Sequence, residues 1–181
     1  MSRLDVLLEQ YSRQVQFPWQ RTLAGPQRVW FVVYDEEDER RIRNRIGQYE
    51  IATRDAGKSW RHIDLTDAFP EWMAAHQYRE GYFAEPDKLK GAALKSFRAF
   101  VVERVRAVLT DNTADADTMV ALSGVASLFG LLRVSDIVVD VQGQIKGRLA
   151  VFFPGAYQTN TYRLLDKRDG WNYLALPIVS T

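Results

Sequence analysis

Residues 28–35 read Arg-Val-Trp-Phe-Val-Val-Tyr-Asp, a nearly continuous apolar run that ends at an aspartate. A run of β-branched and aromatic residues without polar alternation predicts a strand that is covered on both faces, as in a parallel sheet. Shorter strands are predicted at Trp60–Leu65, Thr118–Leu122 and Arg148–Phe153. These runs favour an α/β fold whose sheet is buried between helices.

Helical patterns lie between these strands. Glu36–Ala56 begins with acidic residues and continues with basic ones, which complements the helix dipole, and Gly57 is a natural stop. Gly91–Thr110 and Val134–Ile145 carry apolar residues at helical spacing. The alternation of strands and helices predicts a single three-layer α/β domain over residues 1–181, with a mostly parallel sheet and helices on both faces.

Three segments extend this pattern. Residues 1–16 predict an amphipathic helix capped by Ser2, which docks on the chain's own core or on a partner. Residues 161–176 place an Asp-Gly pair between apolar runs and predict a C-terminal β-hairpin. His76–Lys90 is the least regular stretch and is predicted to be a flexible insertion.

Composition excludes several classes of protein. The formal net charge of +1 argues against a generally basic nucleic-acid surface, although a local patch stays open. The absence of cysteine excludes disulfides, thiolate nucleophiles and Cys-based zinc sites. No apolar run reaches the roughly 18 residues of a membrane span, and charges interrupt any secretory signal at the N-terminus. We expect a cytoplasmic protein without membrane association and with weak or no direct DNA contact.

Polar residues follow several predicted strands and define a candidate crevice. In open parallel sheets, ligands bind beyond the carboxyl ends of the strands, so side chains placed there share one edge. The crevice residues are Asp35, Asp67, Ser123, Gly124, Ser127 and Tyr157. A simpler interpretation has the two aspartates capping helices and the small residues forming a tight turn.

No catalytic or metal-binding motif emerges from the remaining residues. The two histidines, His62 and His76, have no second ligand at metal spacing, and His62 lies inside a predicted strand. The arginine runs at residues 40–45 and 98–106 are interpreted as solvated helix faces. We therefore predict no catalytic residue, no cofactor and no metal.

Several longer phrases resemble one known family. They are Pro18–Gly25 (PWQRTLAG), Arg28–Asp35 (RVWFVVYD), Asp64–Met73 (DLTDAFPEWM), Gly124–Ser135 (GVASLFGLLRVS), Gly147–Tyr157 (GRLAVFFPGAY) and Tyr162–Pro177 (YRLLDKRDGWNYLALP). Together they resemble the BrxB family, a small component of the BREX (bacteriophage exclusion) defence systems. The resemblance covers almost the whole chain.

This resemblance implies a role in phage defence beside larger proteins. BREX systems pair the DNA methyltransferase PglX with the ATPase BrxC and the phosphatase-like protein PglZ, and the resemblance implies that these are partners. The family supplies no catalytic residues to carry over. We expect a non-catalytic adaptor that tethers the larger proteins; the alternative is a module that binds a nucleotide or nucleic-acid phosphate.

An adaptor needs exposed anchors, and aromatic residues and arginine are favoured in that role. The chain holds more aromatic residues near residues 72–83 and 171–173 than one small core obviously needs, although core packing is the alternative. The candidate partner surface comprises Trp72, Tyr78, Arg79, Tyr82, Phe83, Trp171 and Tyr173.

Overall fold

The strands named from the sequence assemble into one six-stranded sheet in the computed structural model, which describes residues 1–164 and 173–181. The strands are β1 Val29–Tyr34, β2 Ser59–Asp64, β3 Thr118–Ser123, β4 Arg148–Gln158, β5 Thr161–Leu164 and β6 Leu176–Ile178. The α-helices are α1 Arg3–Gln16, α2 Glu39–Arg43, α3 Ile46–Asp55, α4 Ala68–Ala75, α5 Arg79–Ala84, α6 Ala92–Leu109 and α7 Val134–Val141.

The sheet has the order β2-β3-β4-β1-β6, and every pairing along it is parallel. Strand β1 lies between β4 and β6, and all six of its residues are buried, as its apolar run predicts. Strand β3 is likewise buried throughout. The mostly parallel α/β sheet is confirmed.

Two apolar clusters, one on each face of the sheet, produce the three layers. Helices α4, α6 and α7 cover one face, where Phe97 and Phe153 are fully buried. Helices α1, α2 and α3 cover the other, around Tyr11, Tyr49 and Phe152. Successive side chains of β1 pack alternately into the two clusters. Both faces of β1 are therefore apolar, which explains why its sequence shows no polar alternation.

Helix α1 packs on the chain's own core. Ser2 caps it with a reciprocal capping box that involves Asp5. On its buried face, Tyr11 shares a 2.6 Å hydrogen bond with Thr53 of α3. Among the described residues, no helix is both long enough and apolar enough to cross a membrane.

The helix predicted over Glu36–Ala56 is divided. A 3-10 turn spans Glu36–Asp38, α2 ends at Arg43, and α3 begins at Ile46. The final stop is as predicted, because Gly57 adopts a left-handed φ of 74°. The segment His76–Lys90, predicted to be irregular, contains α5 and a 3-10 turn at Pro86–Lys88.

The C-terminal strand pair is present, but its partners differ from those predicted for residues 161–176. Strand β4 continues past Phe153 to Gln158 and pairs antiparallel with β5. Its turn is Thr159-Asn160, both with positive φ, which is typical of two-residue hairpin loops. Strand β6 instead joins β1 in parallel, which occupies that edge of β1. The Asp-Gly turn lies outside the described residues.

Candidate functional site

The candidate crevice does not form one cluster of contacts. Ser123, Gly124 and Ser127 gather where β2 and β3 end. Asp35 forms an ion pair with Arg3 of α1. Tyr157 lies in the β4 extension, where its hydroxyl donates to the Asn160 side chain over 3.0 Å.

Asp35 and Asp67 stand at helix N-termini, but their side chains do not cap the helices. Each residue occupies the N-cap position of the helical turn that follows it. Neither side chain, however, accepts a capping hydrogen bond from the backbone of that turn. For Asp35, the pair with Arg3 accounts for the side chain instead.

Gly124 fits the turn after β3 because it carries no side chain. Its φ is +73°, and a Cβ there would stand 2.5 Å from both the Asp64 Oδ1 and the Thr66 main-chain nitrogen. The main-chain N–H of Thr66 donates to Asp64 Oδ1 over 2.9 Å. The Thr66 hydroxyl donates to the same oxygen over 2.6 Å. Partial burial of Asp64 acts to raise its pKa, but the two hydrogen bonds from Thr66 help to hold that pKa below its usual value.

Both serines of the loop after β3 are engaged inside the protein. The single proton of the Ser127 hydroxyl is shared between the carbonyls of Leu65 and Gly124, whose oxygens lie 2.8 and 2.7 Å away. The Ser123 hydroxyl shares a 2.7 Å hydrogen bond with His62 Nε2, and partial burial lowers the pKa of His62. The loop opens a four-residue 3-10 turn, in which the Ser127 N–H bonds the Gly124 carbonyl. This arrangement suits a structural turn.

On the candidate partner surface, the prediction for Trp72 is wrong. Its side chain is 5% exposed and packs against Phe97, with ring centroids 5.4 Å apart. Helix α4 turns this residue toward α6, so that its indole completes the core. Tyr82 is half-buried and stacks on Trp72 at 6.5 Å.

Three other members of that set are exposed together around α5. The side chains of Tyr78 and Phe83 are 61% and 68% exposed. Arg79 is also exposed, and its guanidinium donates to the Ala74 carbonyl over 2.7 Å. We call Tyr78, Arg79 and Phe83 the α5 surface.

The C-terminal members of the set are not part of the α5 surface. Tyr173 is half-buried, packs edge-on against Phe31 at 6.2 Å, and donates its hydroxyl proton to Gln142. Burial raises the pKa of Tyr173 to about 12. Trp171 lies outside the described residues.

The arginine runs are largely matched by nearby carboxylates. Arg41 pairs with Asp38, Arg43 with Glu39, and Arg45 with Asp5. In the second run, the pairs are Arg98–Asp140, Arg104–Glu71 and Arg106–Glu103. Such pairing is what solvated helix faces show.

A cavity of about 490 Å³ lies at the opposite edge of the sheet, where β1 and β4 begin. Its inner wall includes Trp30 and Arg148, which are 2% and 5% exposed. Exposed apolar side chains, among them Phe17 and Leu174, stand at its rim. The volume falls within the range of small-molecule sites.

Arg148 is the unusual group in this cavity. Its guanidinium donates to the carbonyls of Gly147 and Gln20, 3.0 and 3.1 Å away, and lies 5.1 Å from the Trp19 ring centroid. Within residues 1–164 and 173–181, no carboxylate pairs with it. Burial, together with the nearby Arg28, lowers the pKa of Arg148.

No pattern in the sequence singles out this cavity. Arg148 is only the first residue of a predicted strand there, and Trp19 only part of a resembling phrase. A signal was present, because a cation at the start of a doubly covered strand must be buried and needs a partner. The apolar residues around it come from α1, the loop after it and the C-terminal segment, which spacing does not connect.

Comparison with known protein-family profiles, with curated proteins and with solved structures gives no significant match to this chain. Function must therefore be inferred from the sequence resemblance and from the contacts described above. Three places bear on it: the edge where β2 and β3 end, the α5 surface and the cavity at Arg148.

Proposed function

We propose that this chain is a non-catalytic adaptor of a BREX phage-defence system that tethers the larger proteins PglX, BrxC and PglZ. The supporting observation is the α5 surface, where Tyr78 directly before α5 and Arg79 and Phe83 within it are all exposed. Aromatic residues and arginine supply most of the energetic anchors of protein interfaces.

The support beneath the α5 surface suits a docking role. The His76 ring lies 4.8 Å from Trp72, 5.3 Å from Tyr82 and 5.8 Å from Tyr78. This array connects the exposed Tyr78 to the core residue Trp72, so that less side-chain freedom is lost when a partner binds.

Co-purification of the full chain with PglX, BrxC and PglZ separately tests the adaptor role. The wild type is expected to retain at least one of them, with or without DNA. The double variant Tyr78→Asp/Phe83→Asp should lose at least about tenfold in affinity, since buried hot spots contribute about 2 kcal/mol or more.

Ile51→Asp is the matched control, because Ile51 is 60% exposed on α3, a different helix. It should retain the partner, and both variants should keep the wild-type melting temperature. Failure of all three proteins to bind, or full binding by the double variant, would contradict the proposal.

The alternative is a module that binds a nucleotide or nucleic-acid phosphate, and titration with duplex DNA tests its nucleic-acid form. The pairing of Arg41, Arg43 and Arg45 with carboxylates leaves little free positive charge on that run. We expect a Kd on the order of 10⁻⁴ M or weaker near physiological salt. Sub-micromolar binding that is lost in Arg40→Glu/Arg41→Glu would place DNA contact first.

A further inference from the structure

We propose that the cavity at the amino ends of β1 and β4 is a binding site for a small organic anion, one that joins an apolar or aromatic body to a carboxylate or phosphate group. This inference is independent of the adaptor role, because it concerns a different surface. Arg148 would receive the anionic group, and the apolar walls would cover the body.

The positive charge of Arg148 has no matching carboxylate among the described residues. A guanidinium stays protonated, and a buried cation is costly unless an anion or enough hydrogen bonds compensate for it. Arg148 is 5% exposed, yet within the described part of the chain its guanidinium donates to two neutral carbonyls. Because a guanidinium has five N–H donors, it retains donors for a ligand.

Trp19 supplies a second polar group without a partner, next to the Arg148 guanidinium. The Nε1 atom of Trp19 is buried and has no hydrogen-bond partner among the described residues. Trp19 and Arg148 line the same cavity. A buried N–H without a partner normally calls for an explanation, and an anion bound at Arg148 would supply the missing acceptor.

Positively charged side chains outnumber carboxylates around the cavity. Lys58 Nζ lies 4.7 Å from the Trp19 ring centroid, and Arg21 and Lys58 share a single carboxylate, Asp117. Among the described residues, Arg28 donates only to main-chain carbonyls, including Leu23 at 3.0 Å and Arg21 at 2.7 Å. The local field therefore favours a negative ligand.

The walls suggest what else the ligand carries. Phe17, Pro18, Trp19, Leu23, Trp30, Leu174, Leu176 and Pro177 line the cavity. The side chains of Gln14, Gln20 and Gln27 add neutral polar groups but no negative charge. A mostly apolar wall with one buried cation suits a flat or branched apolar body with one charged end.

Calorimetric titration of the full chain with three probes tests the proposal: phenylacetate, phenyl phosphate and the neutral phenylacetamide. At least one anionic probe should bind saturably, at least about tenfold more tightly than the amide, because hydrogen bonds to a charged group are the stronger ones. The tighter anion assigns the site to carboxylates or to phosphate monoesters. Inorganic phosphate should bind more weakly than phenyl phosphate, since it lacks the apolar body.

Variants connect that preference to the cavity. Arg148→Met should abolish the difference between phenylacetate and phenylacetamide, and Arg148→Lys should keep part of it. Trp19→Phe keeps an aromatic wall but removes the N–H, so it should weaken the anion by several-fold. Arg54→Gln removes an exposed arginine paired with Glu50 on α3 and should change nothing.

Three results would overturn the proposal. One is the absence of saturable binding by both anionic probes up to about 10 mM, well above the concentration at which a millimolar site fills. Another is equal binding of phenylacetamide and the anions. The third is an undiminished preference for the anion in folded Arg148→Met or, should that variant not fold, in both Arg148→Lys and Trp19→Phe.

Discussion

The two edges of the parallel sheet treat their polar groups differently. At the carboxyl edge, Ser123, Ser127 and Thr66 are all hydrogen-bonded inside the protein. At the amino edge, Arg148 has no carboxylate, and Trp19 Nε1 has no partner among the described residues. Ligands of open parallel sheets usually bind at the carboxyl edge. In this protein, however, the polar groups without internal partners lie at the amino edge.

A polar residue therefore indicates a ligand by its lack of an internal partner, not by its position in the topology. A satisfied network makes the carboxyl edge a structural joint between β2, β3 and the turns that follow them. The amino edge keeps a buried cation at a cost in stability, which a ligand would offset.

The largest effect is expected from Gly124→Ala, at the joint of the carboxyl edge. The new Cβ would meet Asp64 and Thr66 at 2.5 Å, and the left-handed backbone adds its own cost. We expect a loss of about 2–5 kcal/mol in unfolding free energy, measured by urea denaturation. Gly47→Ala, whose Cβ meets nothing within 4 Å in α3, is the control and should gain about 0.5–1 kcal/mol. If the Gly124→Ala variant were as stable as the wild type, the carboxyl edge would not have the structural role described above.

Ser127→Ala should give the next largest loss. Its hydroxyl proton is shared between the carbonyls of Leu65 and Gly124, which both keep a main-chain donor, so the variant should lose about 0.5–1.5 kcal/mol. In Ser12→Ala, the lost bond is a local one within α1, to the Leu8 carbonyl, and urea denaturation should detect little change. Equal effects of the two substitutions would argue against a network at the carboxyl edge.

At the amino edge, Arg148→Met should change stability by less than about 1 kcal/mol in either direction. The loss of two hydrogen bonds to carbonyls is offset by relief of a buried, unmatched charge. The same denaturation series checks this result. A loss as large as that of Gly124→Ala would mean that Arg148 serves the fold, and the contrast between the two edges would disappear.

The smallest effect is a pH dependence that belongs to His62. Because partial burial lowers the pKa of His62 below its usual value of 6.5, folding favours the neutral ring. The contribution of neutral His62 to the free energy of unfolding is therefore complete above about pH 6.5 and is lost as the pH falls through the folded-state pKa. Stability measured at about pH 7.5 and 5.5 should decrease less in His62→Gln than in the wild type. An identical decrease in both proteins would show that His62 does not contribute.

The layers of the fold could be predicted from the sequence because burial leaves a local pattern. The uninterrupted apolar run predicts strand β1, and the helical spacing of apolar residues predicts helix α6. The C-terminal pairings could not be predicted, since the choice of β1 as the partner of β6 depends on an edge formed by distant residues.

The candidate site was less predictable for the same reason. Trp72 and Phe83 look alike in the sequence, but one faces the core and the other is exposed. The cavity at Arg148 requires α1, β1, β4 and the C-terminal segment to meet, and no spacing along the chain shows that. Local patterns indicate elements, whereas binding sites arise from contacts between elements.

The most direct test of the contrast is a ¹H–¹⁵N spectrum of the full chain titrated with phenylacetate and, separately, with phenyl phosphate. For whichever anion binds, we predict a saturable shift of the Trp19 indole N–H signal, since that donor gains its acceptor, and the Ser123–Ser127 backbone amides should keep their positions. Shifts confined to Ser123–Ser127, with the Trp19 indole signal unchanged throughout both titrations, would contradict a binding site at the amino edge. They would indicate that the anion binds at the carboxyl edge.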